Sequence, residues 1–304
     1  ILAREKDLAL ALKTSDIRIQ ATITGESLVG VEVPVPHPHN VGLKQVIGSE
    51  EFHAIFDGPG LPIGLGQNVE SEYVALDLTE LPHLLIAGAT GTGKSVCLST
   101  IVASLMFTRP PEQVRFLMVD PKGVELTPFD GLPHLIAPVI LEPSYFAPAL
   151  DGLVQIMEQR YALFRKAKAR NIQSYNEGSN TQIPFVVLIV DELAELMLSE
   201  GRDAEIKLVR LAQMGRAAGI HLVLSTQRPT VDVVTGLLKA NIRTRIGFAV
   251  ASQTDSRVIL DSIGAESLLG QGDMLLLDKE SPSPRRVQGA FVEENELERF
   301  MEFW

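Results

Sequence analysis

The string Gly88-Ala89-Thr90-Gly91-Thr92-Gly93-Lys94-Ser95 sets glycines, a lysine and a hydroxyl at the spacing of a phosphate-binding loop. Glycines at 88, 91 and 93 let the backbone curl so that successive N–H groups aim at phosphate oxygens. Lys94 is long enough to reach the β- and γ-phosphates of a nucleotide, and the Ser95 hydroxyl can ligate Mg2+. A chance glycine-rich turn is the plain alternative, and the flanking residues argue against it. Residues 84–87 form a short apolar run of the buried-strand kind, and residues 96–106 have helical length with few breakers. A loop between a strand and a helix also gains the partial positive charge of the helix N-terminus. A second chemical signal lies far along the chain. Residues 185–190 are apolar and mostly β-branched, and Asp191-Glu192 follow directly. An acidic residue at the C-terminal end of a buried strand can hold Mg2+ through its water shell. Glu192 beside it is the natural base for an attacking water. The pair points to hydrolysis of a nucleotide rather than binding alone.

Composition bounds what such a site can serve. A chain of 304 residues, 45% hydrophobic and 21% charged, has room for a large α/β core plus a smaller appended unit. The net charge of −11 excludes a uniformly basic nucleic-acid surface and leaves only a local basic patch or channel. The single cysteine, Cys97, excludes an internal disulfide and fits a reducing compartment. It reads as a small buried hydrophobe on the helix after the loop. No apolar run approaches the ~18 residues that span a membrane, and no signal peptide is visible. The first residue is Ile1 rather than Met, so the chain is expected to be a piece of a longer protein, which leaves room for a membrane anchor elsewhere.

The elements that must position this chemistry divide into two regions. Residues 1–60 read as a small α/β unit: an amphipathic helix over 2–12, short strands over 17–19 and 28–33 separated by Gly25, a proline-rich stretch over 34–40, and a further helix opening at 43–47. His37 and His39 lack acidic or cysteine partners and read as solvated. Residues 58–60 and 62–66, rich in Gly and Pro, read as a linker into a second domain over 61–304. There, strands expected at 84–87, 116–119, 185–190, 221–225, 245–250 and 273–277 alternate with helices at 96–106, 146–169 and 205–218. That alternation implies a mostly parallel sheet with helices on both faces. Ligands in such sheets bind at the carboxyl ends of the strands. Asp120-Pro121-Lys122, Asp191-Glu192 and Thr226-Gln227-Arg228-Pro229 all fall there. Arg160, Arg165, Lys166, Lys168 and Arg170 near the end of the long helix read as a solvated face.

Longer strings than these carry a resemblance. Pro82-His83-Leu84-Leu85-Ile86-Ala87-Gly88-Ala89-Thr90-Gly91, Asp120-Pro121-Lys122 with Glu125-Leu126, residues 131–135, residues 216–222, Thr226-Gln227-Arg228-Pro229, and residues 231–236, 239–242, 255–257 and 264–270 together resemble the FtsK/SpoIIIE-type DNA translocases. Leu2-Ala3-Arg4 and residues 29–34 resemble that family's small leading domain. The resemblance implies a RecA-like P-loop ATPase that uses ATP and Mg2+, assembles as a homo-hexameric ring around double-stranded DNA, and serves chromosome segregation at cell division. It also implies a place at the cytoplasmic face of the inner membrane, through segments absent from this chain. Three departures stand out: residues 175–184 are short, Gln253 stands where a lysine is common, and Leu193 and Glu195 replace a more usual Phe and Asp.

A ring ATPase needs a cation from the neighbouring subunit at the γ-phosphate, and Arg216 is the first choice, a helix-terminal dipole partner being the alternative. Gln227 at a strand end is assigned as γ-phosphate sensor, against a turn-capping amide. Arg228 and Arg257 are assigned to DNA phosphates in the pore, against subunit-interface ion pairs; Arg243 and Arg245 are further cations without a role. A related ring ATPase that moves proteins in secretion, and a scaffold that binds nucleotide without cleaving it, are the competing functions. Intact Lys94, Asp191 and Glu192 speak against the scaffold, and Arg228 and Arg257 favour nucleic acid.

Overall fold

A computed structural model describes residues 4–14, 17–20, 29–35, 39–279, 281 and 283–304. The chain separates into two compact units, Ile1–Asn40 and Val41–Trp304.

The first unit holds helix α1 (Glu5–Ala11) and an antiparallel ribbon of β1 (Arg18–Gln20) and β2 (Gly30–Glu32), with Ile19 opposite Val31. Among the described residues the helix expected over 2–12 runs Glu5–Ala11, the strand expected over 17–19 lies one residue later, and the strand expected over 28–33 runs Gly30–Glu32. Leu2, Ala3, Gly25, Leu28, Pro36, His37 and Pro38 of those readings lie outside the described residues.

The second unit begins at Val41 rather than at residue 61, for a reason visible in its hydrogen bonds. The Phe291 amide donates to Val41 O at 2.7 Å, and the Leu43 amide to Phe291 O at 2.8 Å. Helices α2 (Leu43–Ile47) and α3 (Glu50–Phe56) then bury Leu43, Val46 and Phe52. These contacts tie residues 41–56 to the larger core.

The remaining elements run β3 (Pro62–Asn68), β4 (Tyr73–Asp77), β5 (His83–Ala87), α4 (Lys94–Thr108), β6 (Val114–Val119), α5 (Phe146–Ala167), α6 (Ile172–Gly178), β7 (Phe185–Val190), α7 (Leu193–Ala218), β8 (Ile220–Thr226), α8 (Gly236–Asn241), β9 (Thr244–Phe248), α9 (Gln253–Leu260), β10 (Asp273–Leu277), β11 (Arg285–Gly289) and α10 (Glu294–Phe303). One sheet of order β4-β3-β11-β10-β9-β5-β8-β7-β6 joins all nine strands of this unit. The five strands β9-β5-β8-β7-β6 are parallel. The four at the other side pair antiparallel. Residues 62–66 are therefore strand, not linker. Pro62 opens β3, where its missing N–H is tolerated. Gly66, at φ +152°, lies so close to Gln288 O that a side chain there would collide.

Period-two alternation along β5 explains the two-sided core. Leu84 and Ile86 face a cluster with Leu98, Ile101 and Leu105 of α4. Leu85 faces the other cluster with Leu150 and Leu153 of α5 and Leu208 and Leu211 of α7. Helix α4 is buried nearly all round, and its hydroxyls at Thr100, Ser104 and Thr108 donate back to carbonyls of their own helix. Helix α7 begins at Leu193, twelve residues before the expected start, and bends at Gly201 (φ 56°, ψ −133°). One expected solvated cation is buried. Arg160, only 8% exposed, donates to Ala218 O at 2.7 Å and Pro184 O at 2.6 Å, so it ties α5 to the end of α7 and the approach to β7.

Candidate functional site

The phosphate-binding loop lies between the carboxyl end of β5 and the first turn of α4. Its entry is held by the neighbouring strands: the Gly88 amide donates to Thr226 O at 3.3 Å and the Ala89 amide to Ala249 O at 2.9 Å. Gly88 must be glycine because a Cβ there would stand 2.4 Å from Cβ of Phe248. Gly93 adopts φ +116°, and a Cβ there would lie 2.7 Å from the backbone of Gly272. The segment before β10 thus supports the loop from outside, with the Gly272 amide donating to Thr92 O at 2.9 Å. The amides of Gly91, Gly93, Lys94 and Ser95 donate to no backbone carbonyl among the described residues. They are the free donors a phosphate needs. Cys97 is buried one turn into α4, and burial pushes its thiol up to about 12, so it acts as a hydrophobe.

Lys94 turns inward. It is 3% exposed, and its Nζ lies 2.6 Å from Asp191 Oδ1, 3.1 Å from Asp191 O and 3.0 Å from Ser225 Oγ. The Ser225 hydroxyl also donates to Asp191 O. Burial holds the Asp191 carboxyl above its ordinary value, with Lys94 pulling it back and Asp120 and Glu125 adding to the rise. Its Oδ2 is buried without a hydrogen-bond partner. Ser95 Oγ donates to Glu125 Oε1. The orphaned carboxylate oxygen of Asp191 and the loop hydroxyl of Ser95 are the oxygen donors that suit Mg2+, which takes one or two protein oxygens plus phosphates and water. No group of three acidic, His or Cys residues among the described ones forms a cage of its own.

Glu192 is the N-cap of α7 and is 1% exposed. Its Oε1 accepts from Thr226 Oγ1 at 2.6 Å and from the Gln227 amide at 3.2 Å. Gln227 in turn accepts from the Thr90 hydroxyl at 2.7 Å, so it spans the loop and the acidic pair. Lys94, Asp191, Glu192, Gln227 and the loop are thus brought to one end of the parallel strands. Two neighbours carried no assigned role: Lys122 and Glu125. The fully buried Asp120 folds their segment back by accepting from the amides of Lys122, Gly123, Glu125 and Leu126. The signal for them was the acid-Pro-Lys cluster at a strand end. Only the fold shows that Lys122 reaches Glu192.

The assigned arginines are not gathered at this site. Arg216 donates to Thr79 O at 3.2 Å and pairs with Glu80 at 3.0 Å, where the chain enters β5. Five strand residues, about 16 Å, separate that end of β5 from the loop. Arg216 therefore does not reach its own chain's loop. Arg228, 65% exposed, leaves the end of β8 and stands 3.9 Å from Glu195. Arg257 is exposed on α9, which follows β9. Arg245 is structural: it is buried against Ile242 O, Ile259 O and Asp261.

The fold and site define a P-loop nucleotide-binding domain of RecA-like architecture. Residues 42–231 match the FtsK/SpoIIIE family and residues 1–35 match the FtsK alpha domain, and the chain belongs to the FtsK/SpoIIIE family. It is 50% identical to a DNA translocase FtsK of Halalkalibacterium halodurans and 49% identical to the DNA translocase SpoIIIE of Bacillus subtilis. Those alignments cover 98% and 97% of this chain but 39% of each relative, so the chain spans about two-fifths of their length. Among solved structures it superposes with TM-score 0.75 on the pCW3 conjugation coupling protein TcpA, solved with ATPγS, at 25% identity over 99% of this chain and 85% of that one. The cytoplasmic domain of the Thermomonospora curvata type VII secretion ATPase EccC gives the same TM-score and identity, over 88% of this chain and 34% of that one.

Proposed function

We propose that this chain is the motor region of an ATP-driven translocase of double-stranded DNA, acting as a homo-hexameric ring in chromosome segregation at cell division. Family membership and the names of its full-length relatives support the substrate and the process. The observation that carries the catalytic part is the convergence of Lys94, Asp191, Glu192 and Gln227 on one loop at the end of the parallel strands. In this reading residues Gly88, Ala89, Thr90, Gly91, Thr92, Gly93, Lys94 and Ser95 wrap the phosphates of ATP. Ser95 and, through water, Asp191 hold Mg2+, which when bound neutralises charge on the phosphate oxygens. Glu192 takes the proton of the attacking water. Gln227, bonded to both Thr90 and Glu192, links the state of the loop to the base. Arg216 serves the site of a neighbouring subunit, which fits its distance from its own loop. Arg228 and Arg257 contact DNA phosphates. Attachment to the inner membrane, with the motor on the cytoplasmic face, belongs to segments outside these residues. No helix among the described residues is long and apolar enough to cross a membrane.

The test is Glu192→Gln. The amide fills the same space but cannot accept the water's proton, so the variant should bind ATP with parent affinity and cleave it at least 100-fold more slowly, on the order of a general-base contribution. Turnover near the parent rate would remove the base assignment.

A further inference from the structure

Glu192 is surrounded by donors to a degree its role as base does not require. Oε1 accepts from the Thr226 hydroxyl, the Gln227 amide and, at 3.4 Å, the Ala194 amide. Oε2 accepts from Lys122 Nζ at 3.2 Å and from the Gln227 amide at 3.3 Å. Four donors thus meet a carboxylate that offers about four lone-pair sites. Three of the four meet Oε1, and Lys122 is the one donor on Oε2 that Oε1 does not share, so freeing Oε2 for a water means moving Lys122. Three cannot leave easily. Two are main-chain N–H groups, at the N-terminus of α7 and the end of β8, and the third is the fully buried hydroxyl of Thr226. Lys122 is different: its side chain is 40% exposed and rides on a flexible four-carbon stem.

We propose that Lys122 is a positioning residue that latches Glu192, occupying the oxygen that must face the attacking water until the ammonium is drawn away. The latch is anchored where it can respond to the nucleotide. Asp120, buried at the end of β6, accepts from the amides of Lys122, Gly123, Glu125 and Leu126 at 2.9–3.2 Å, so the turn carrying Lys122 is rigid. The same turn carries Glu125, whose carboxylate accepts a hydrogen bond from the loop hydroxyl of Ser95. A change at Ser95 when phosphate and metal enter would therefore be felt by the segment that holds Lys122. The γ-phosphate, an anion entering beside Lys94, also competes with Glu192 for the ammonium. Emptying the latch and filling the loop become one event.

This inference rests on Glu192 being the base, and the experiment separates the two claims. Steady-state ATP turnover, KM for ATP and thermal stability are measured for the parent, Lys122→Met, Lys122→Arg and Glu192→Gln. Because the Lys122 end of the pair is 40% exposed, its removal is expected to raise turnover about two- to fivefold, with KM changed less than twofold. Lys122→Arg keeps a cation and should turn over more slowly than Lys122→Met. If Lys122→Met does not fold, Lys122→Gln replaces it with the same expected direction. Turnover of Lys122→Met at or below the parent rate overturns the latch and makes Lys122 a supporting cation instead. Parent-like turnover by Glu192→Gln overturns the base assignment, and the latch with it, whatever Lys122→Met does.

Discussion

Lys94→Ala should destabilise the protein even without nucleotide, and the loss should depend on pH. In the folded chain Lys94 and Asp191 are 3% and 0% exposed and 2.6 Å apart. Removing one partner of such a buried pair typically costs about 3–5 kcal/mol, because the other charge is left uncompensated. Here Asp191 Oδ2 already lacks a hydrogen bond, so little else can take over the role of the ammonium. For a unit of this size that is a fall in Tm of about 6–20 °C near pH 7. The sign with pH follows from the direction of the Asp191 shift. Burial raises this carboxyl above its ordinary value, and Lys94 opposes the rise. A carboxyl raised in the folded state binds protons more tightly there than in the unfolded chain. Its contribution to stability is therefore present at low pH and lost as pH climbs through the folded value. Deleting Lys94 raises it further, so the deficit of the variant should be largest at neutral pH and shrink as pH falls toward about 4, where an unfolded Asp takes up its proton. Thermal and urea unfolding at several pH values would measure this. Adding Asp191→Asn to Lys94→Met should recover at least half the loss relative to Lys94→Met alone. A Tm within about 2 °C of the parent at pH 7, or a deficit independent of pH, would refute the reasoning.

Two further outcomes follow from the arginines. Arg216→Ala should leave single-subunit nucleotide affinity near parent and remove most turnover. Mixing it with Glu192→Gln subunits should restore part of the activity, since some interfaces then pair an intact base with an intact arginine; assembly-competent mixtures with no recovery count against a trans role. Arg228→Ala and Arg257→Ala should each weaken duplex binding and flatten its salt dependence by about one unit of slope, in titrations at several salt concentrations; unchanged affinity and slope for both would move the DNA contact elsewhere.

The candidate site was legible as a cluster because its parts are local strings attached to strand ends. Residues 88–95 carry their chemistry in sequence, and Asp191-Glu192 follow an apolar, mostly β-branched run that reads as a buried strand. Elements whose pairing is non-local were not legible. Residues 62–66 look like a linker by composition, yet β3 is interior to the sheet, held by β4 and β11. Strand β11 reads Arg-Arg-Val-Gln-Gly and buries only Val287. The first half of α7 was hidden by Gly201, which interrupts the helical pattern where the chain bends. Lys122 and Glu125 were in view as residues after a strand, but no spacing rule says that one meets Glu192 and the other Ser95. Arg160 shows the reverse failure: a cation at the end of a basic helix looked solvated, while carbonyls at the end of α7 and before β7 take it inside.

The central claim is a motor that acts on duplex DNA through a locally basic path in an acidic chain. Its most direct test is ATP turnover of the 304-residue chain against increasing duplex, single-stranded DNA or unfolded polypeptide, at two salt concentrations. The account predicts that duplex raises turnover regardless of its sequence, that higher salt suppresses the stimulation, and that the other two polymers do less. Turnover unmoved by duplex, or raised more by single strands or polypeptide, would contradict it.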